Sequence, residues 1–495
     1  MRRAGVLLHP TALPGTAACG TFGSVAHQWL DLLADHGIKA WQLLPLAPTD
    51  GLGSPYSSPS GFALNPWLLD AEALLAKGLL FAEDLASLPP GTPSGRTDLP
   101  LAMQRSRMLA EALRQRFPHW PQAQQRAFVR WRHQQRFWLK DHCRFMVLRE
   151  RHGALPWWQW PAALAQRQRG ALRRLDRQEH EALLQEALVQ WQLQEQWQAL
   201  LEHARRRDVQ VIGDLPFYVA HDSADVWSHR LLFSVRADGS LSRQSGVPPD
   251  YFSATGQLWG TPVYRWALHR LTRFHWWKRR LKRQLSLFDV LRLDHFRALA
   301  AAWCVPGGDT SAEGGCWKPS PGKALLRACA GGSRTRALPL IAEDLGVITP
   351  DVEALRDRFS LPGMKILQFA FDGNPDNPYL PANYQGSNWL VYTGTHDNAT
   401  CIGWWHALDD DQRQQVSALM GSVHAPGWQL LELALASAAD WALVPLQDLL
   451  HLGDEARFNT PGTSAGNWSW RLEGDLDQIR GSLQGLGEMA RRHQR

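Results

Sequence analysis

The 495-residue sequence predicts a closed (β/α)₈ TIM barrel with two insertions on its rim. Three observations carry this reading: eight short apolar runs bounded by turn residues, stretches of helical spacing between most of them, and carboxylates where several of the runs end. Strands that alternate with helices pair in parallel. Runs apolar enough to be covered on both faces favour a closed barrel over an open doubly wound sheet.

The predicted strands are, in order, 5–10 (GVLLHP), 39–47 (KAWQLLPLA), 209–219 (VQVIGDLPFYV), 290–296 (VLRLDHF), 339–346 (PLIAEDLG), 364–371 (MKILQFAF), 388–397 (NWLVYTGTHD) and 440–448 (DWALVPLQD). Helical spacing is clear at 24–36 and 427–438. About 160 residues lie between the second and third runs, and about 70 between the third and fourth. The first interval predicts a mostly helical insertion over 70–205, because its Gln/Arg/Leu/Trp-rich part, 101–205, has few prolines and repeats apolar residues at helical intervals. The second predicts a loop-rich insertion over 220–287. Within it, 244–262 (QSGVPPDYFSATGQLWGTP) mixes Gly, Pro and Ser with aromatics and reads as an ordered surface loop. Residues 1–495 are expected to form a single barrel domain, without internal repeats.

Composition narrows the function classes. The 53 basic and 47 acidic residues are interspersed rather than blocked into tails, so a formal charge of +6 does not argue for nucleic acid. The apolar start before His9 and Pro10 is too short for a secretory segment, and no stretch approaches a membrane span. Six scattered cysteines without a CxxC pair signal neither a zinc site nor a disulfide framework, and the expected compartment is the cytoplasm. Tryptophan is abundant, with 25 copies. Indole faces stack on sugar rings, but most copies, including Trp157, Trp158, Trp160, Trp276 and Trp277, are expected to fill the core.

Active residues of such barrels gather at the C-terminal ends of the strands. Asp214, Asp294, Glu343 and Asp397 fall at or near those ends. Any one of them alone would suit a helix N-cap or a rim salt bridge, but four in register point to a site. Residues two apart on a strand face the same way, so Arg292 is expected to set its positive charge beside Asp294. An oriented aspartate is a nucleophile, and Glu343 on the next strand is its expected proton-donating partner, with burial and neighbouring carboxylates raising its pKa. Asp397 beside His396 is placed to bind sugar hydroxyls and favour an oxocarbenium-like ring. This chemistry needs no cofactor, no His/Cys/Asp cluster has metal-ligand spacing, and no GxGxxG joins a strand to a helix.

Taken together, GVLLHPTALPG (5–15), SPYSSPSGFALNP (54–66), GDLPFYVA (213–220), GVPPDYFSATGQLWG (246–260), LRLDHFR (291–297), AEDLG (342–346), GTHDN (394–398) and NTPGTSAGNWSWR (459–471) resemble the 4-α-glucanotransferases called amylomaltases or disproportionating enzymes, a branch of the α-amylase clan. The resemblance runs almost end to end. It implies retaining transfer of an α-1,4-glucan segment to a new 4-position, with Asp294 as nucleophile, Glu343 as acid/base and Asp397 as transition-state stabiliser. It further implies Arg292, His396, Asp214, Tyr56, Trp259, Asp250 and Asn459 as substrate-binding residues, with Asn467 as a looser match. The implied donors are maltooligosaccharides, glycogen or starch chains, and the implied acceptors are glucose or maltooligosaccharides.

Two positions depart from the family pattern, Ala298 where glycine is expected and Leu64 where a small residue is expected, and both are read as added bulk near the site. The same carboxylates would serve an α-1,4-glucan hydrolase. Transfer is favoured by the loop carrying Tyr251, Phe252 and Trp259, which is expected to bind an acceptor and exclude water. A non-catalytic glucan-binding barrel is disfavoured because all three carboxylates stand in place.

Overall fold

A computed structural model describes residues 2–15, 17–91, 95–249, 255–331 and 337–495. Among the described residues twelve strands form two sheets. In chain order they are β1 (Arg3–Leu7), β2 (Ala40–Gln42), β3 (Gln210–Leu215), β4 (Arg243–Val247), β5 (Gln257–Pro262), β6 (Val290–Leu293), β7 (Ala301–Pro306), β8 (Cys316–Pro319), β9 (Leu340–Ala342), β10 (Gly363–Ile366), β11 (Trp389–Tyr392) and β12 (Trp441–Pro445).

The larger sheet is the predicted barrel. Its eight strands are parallel, in the order β10-β11-β12-β1-β2-β3-β6-β9, so β1 is flanked by β12 and β2 and chain order is kept around the ring. The strands are shorter than the apolar runs, because several runs continue into the loops that carry the site. The seam between β9 and β10 lacks a full ladder. It is bridged by Ala342 N–H to Pro362 C=O at 2.8 Å and by Met364 N–H to the Asp344 carboxylate at 2.8 Å. Arg356 holds that carboxylate at 2.6 Å.

The barrel interior is a separate apolar cluster of Ala40, Ile212, Ile341, Met364, Ile366, Leu390, Tyr392 and Leu443, with Val290 packed against it. The pleat has period two, so each inward residue sets the direction of the next but one. Ile212 therefore leads to Asp214, Val290 to Arg292 and Asp294, and Ile341 to Glu343. Gly213 allows β3 its position: a Cβ there would stand 2.3 Å from the Phe288 ring.

Between β2 and β3 the structure is helical, and the long helix His180–Arg206 leads back into β3. Its Trp197 packs against Phe22 and Phe288, at ring-centroid distances of 4.9 and 5.8 Å. Its Gln190 accepts from Leu64 N–H at 2.9 Å and donates to Leu64 C=O at 2.8 Å. This last helix of the interval read as an insertion thus packs on the barrel as the crossover that a parallel β2–β3 pair requires.

The loop reading of 244–262 is corrected. Arg243–Val247 and Gln257–Pro262 are antiparallel strands of a four-stranded rim sheet ordered β5-β4-β7-β8. β7 and β8 come from the segment after β6, so the sheet joins stretches that are distant in sequence. Local composition reads such Gly- and Pro-rich strands as loop, because the pairing that joins the two hairpins, β4 with β7, is non-local.

Candidate active site

The inward-facing residues meet above the C-terminal ends of β3, β6, β9 and β11. Arg292, almost wholly buried, donates from Nη1 to both oxygens of Asp214 at 2.8 and 2.9 Å and to Asp294 Oδ1 at 3.0 Å. One guanidinium thus ties two carboxylates. Burial opposes a charge on Arg292, but Asp214 and Asp294 outweigh it and hold its pKa well above the usual range. Burial raises the Asp214 carboxyl, while Arg292 opposes that shift.

Glu343 has a different environment. Burial, reinforced by the nearby Asp294 charge, pushes its pKa from 4.5 to about 8, against the pull of Arg292 and two main-chain donors. Those donors are His295 N–H to Oε2 at 2.6 Å and Leu345 N–H to Oε1 at 3.1 Å. The first is made possible by a left-handed turn at His295, φ 51°, immediately after Asp294. The neighbouring Asp344 points away into the seam pair with Arg356, which separates the two acids of the AEDLG motif.

Asp397 follows β11. The GTHDN turn is closed by Asn398 Oδ1, which accepts from Thr395 N–H at 2.9 Å and from Thr395 Oγ1 at 2.8 Å. Asn459 donates to Asp397 Oδ1 at 2.6 Å, while the Asp397 side chain remains 44% exposed. Tyr56 joins this side to β3: its hydroxyl donates to Asp214 Oδ2 at 2.6 Å and lies 2.9 Å from His396 Nε2. The hydroxyl has a single proton, so Nε2 carries the hydrogen of the second bond. Asp397 Oδ2 lies 3.3 Å from the same ring nitrogen. Burial and then Asp214 raise the Tyr56 pKa well above its usual value, keeping the phenol neutral.

Trp259 borders the other side, with its ring perpendicular to His295 at 4.8 Å. Asp250, Tyr251 and Phe252 lie outside the described residues. Asn467 is not brought to the carboxylates; it bonds Thr460 and Thr463 in its own turn. Ala298 and Leu64 are both fully buried, and Leu64 shares with Tyr56 and Asp214 the lining of a small cavity of about 30 Å³.

Sequence reasoning missed three supporting residues. Trp468 packs its ring 5.7 Å from Tyr56 and 6.2 Å from His396, which are themselves stacked at 5.4 Å with 10° between planes. Arg280, fully buried, donates to the carbonyls of Pro216 and Phe217 at 2.6 and 2.9 Å and holds the loop after β3. Asp448 accepts from Thr393 and Cys401 at 2.8 and 2.7 Å and anchors the loop after β11. Trp468 stood inside a quoted motif; Arg280 and Asp448 left no local signal because their partners are far along the chain. Among the described residues no group of His, Cys, Asp and Glu is arranged to hold a metal ion.

A parallel barrel whose strand ends bring together a proton-holding glutamic acid and arginine-paired aspartates has the carboxyl pair of an enzyme that acts on glycosidic bonds. Comparison with known proteins narrows the class. The family model described as 4-alpha-glucanotransferase, that of glycoside hydrolase family 77, matches residues 8–477. A 4-alpha-glucanotransferase of Synechocystis sp. is 44% identical over 99% of this chain and 97% of its own length. One from Thermus thermophilus is 41% identical over 99% of each chain. The solved amylomaltase from Streptococcus agalactiae, in complex with acarbose, superposes with a TM-score of 0.95 over 100% of both chains at 32% identity. The chain belongs to the 4-alpha-glucanotransferase family. It is a transglycosidase acting on α-1,4-glucans.

Proposed function

We propose that transfer runs through a covalent glucosyl-Asp294 ester, with Glu343 as acid and then base. The observation that carries this assignment is the pair of unlike carboxyls on the neighbouring strands β6 and β9. Glu343 keeps its proton up to about pH 8, whereas Asp294 receives a charge-assisted hydrogen bond from Arg292 at 3.0 Å. An acid and a nucleophile are thereby distinguished before substrate binds.

Glu343 donates its proton to the glycosidic oxygen as that bond breaks, and an Asp294 oxygen bonds to the anomeric carbon. Glu343, now ionised, takes the proton from the 4-hydroxyl of an acceptor glucose. That oxygen displaces Asp294, restoring the configuration and both carboxyls. Asp397, fixed by Asn459 and His396, binds hydroxyls of the reacting ring more tightly in its flattened form. Tyr56 and Asp214 shape the donor side. Trp259 and the segment with Asp250, Tyr251 and Phe252 favour a sugar acceptor over water. Maltooligosaccharides, glycogen or starch chains are the donors and glucose or maltooligosaccharides the acceptors, in the cytoplasm, where six free thiols are at home.

Incubation with maltotriose tests the reading. Glucose and a ladder of longer maltooligosaccharides should form at a constant number of reducing ends. Reducing ends that rise without a ladder would make water the acceptor and overturn it.

A further inference from the structure

A sizeable cavity lies away from the carboxylates. A cleft of about 620 Å³ opens between the helical stretch after β2, through Phe137, Trp138 and Arg167, and the segment after β3, through Asp225, Trp227 and Trp276. This volume is ample for a small ligand, for which about 300–1,000 Å³ is usual.

Two features define the occupant. The first is charge. Asp141 and Asp225 stand in the walls with Arg167, Arg230 and Arg279, so a strongly charged ligand of either sign would meet its own sign. The cations are also engaged by the protein. Arg167 donates to Asp141 at 2.8 Å and lies 4.2 Å over the Trp227 ring, while Arg279 lies 5.0 Å over Phe137.

The second is a set of polar atoms in the cleft-lining residues that are shielded from solvent and have no hydrogen-bond partner among the described residues. They are both ring nitrogens of His142, Arg167 Nη1, Asp225 Oδ1 and Trp276 Nε1. The nearby Glu186 Oε2 is 4.0 Å from His142 Nε2, beyond hydrogen-bond length. A shielded polar atom left unpaired is destabilising, so five around one cleft call for a partner with both donors and acceptors. Neighbouring hydroxyls on a pyranose supply both from each oxygen, and the ring's apolar faces suit walls built from Phe62, Phe137, Trp138 and Trp276.

We propose that this cleft is a second saccharide site, separate from the carboxylate centre, that takes one or two neutral pyranose rings after small rotations of His142 and Arg167. It is coupled to the first site through Asp225, whose Oδ2 accepts Gly61 N–H at 2.8 Å in the same loop as Tyr56. Occupancy at Asp225 Oδ1 thus bears on the Tyr56 loop.

Titration of the Glu343→Gln protein with maltose, followed by calorimetry, tests this without requiring turnover. Two classes of site per chain are expected. Ala165→Trp, which puts an indole into the cleft, should remove the weaker class and leave the other unchanged. Arg167→Met, at a half-buried position, should weaken that class about tenfold and serves if the filled variant does not fold. A single class in the Glu343→Gln protein, or a second class untouched by both substitutions, would overturn the proposal and leave the cleft to water. Either result is independent of whether maltotriose is disproportionated.

Discussion

Glu343 and Asp294 do their work by differing. If the proposed roles hold, Asp294→Asn lowers turnover about 10⁴-fold or more and Glu343→Gln about 10²–10⁴-fold, with the fold intact by circular dichroism. Glu343 also sets a pH limit: kcat/KM should fall as pH rises through about 8, where the acid loses its proton. Stability carries the same signature. The folded carboxyl holds its proton to about 8 and the unfolded one only to about 4.5, so the folded state binds more protons in between and loses stability as pH rises across that window. Glu343→Gln should therefore melt higher than the parent at pH 8 and equally at pH 4; equal melting at both would show that burial does not hold the proton.

Trp468 acts through its neighbours. It adopts φ 61°, a conformation costly for a bulky residue, and packs on the Tyr56–His396 stack. Trp468→Ala should lower kcat/KM about tenfold by loosening Tyr56, with Trp468→Phe restoring most of it. An unchanged kcat/KM in the alanine variant would assign Trp468 to packing alone.

At the scale of elements, the barrel's weak join is the β9–β10 seam, where a side-chain carboxylate substitutes for a ladder. Asp344 is almost fully buried and serves Met364 N–H and Arg356 together. Asp344→Ala leaves Met364 N–H without an acceptor and Arg356 with only the exposed Asp357, and should cost about 3 kcal/mol in urea unfolding. A loss below about 1 kcal/mol would mean that the seam is held by packing. The eight barrel strands were legible because their runs are local and apolar. The rim strands β4, β5, β7 and β8 were not, because Gly, Pro and polar residues break up most of them and the β4–β7 pairing that joins the two hairpins is distant along the chain. Asp214, Arg292, Asp294 and Glu343 were legible for the same reason as the barrel: strand alternation aims them inward.

Across the whole molecule one apolar cluster runs from Val6 through Leu109 and Trp197 to Ala490, joining the barrel wall to the helical stretch after β2. Continuous packing of this kind couples unfolding. Calorimetry should record one cooperative transition; a separate earlier transition lost on removing that stretch would mark it as an independent unit. No helix among the described residues is long and apolar enough to cross a membrane.

Sequence alone determined what depends on neighbours along the chain: the eight barrel strands, the inward direction of their carboxylates, and motifs specific enough to indicate the family. Only tertiary structure decided what depends on contacts between distant segments. It distinguished Glu343 from Asp344 by turning one to the His295 main-chain N–H above the barrel and pairing the other with Arg356 in the seam. It brought Trp468, Arg280 and Asp448 behind the site, and it opened a cleft between two stretches that the sequence keeps far apart. The reason is physical: periodicity reports which way a side chain points, whereas its pKa and its partners are set by whatever the closed barrel packs against it.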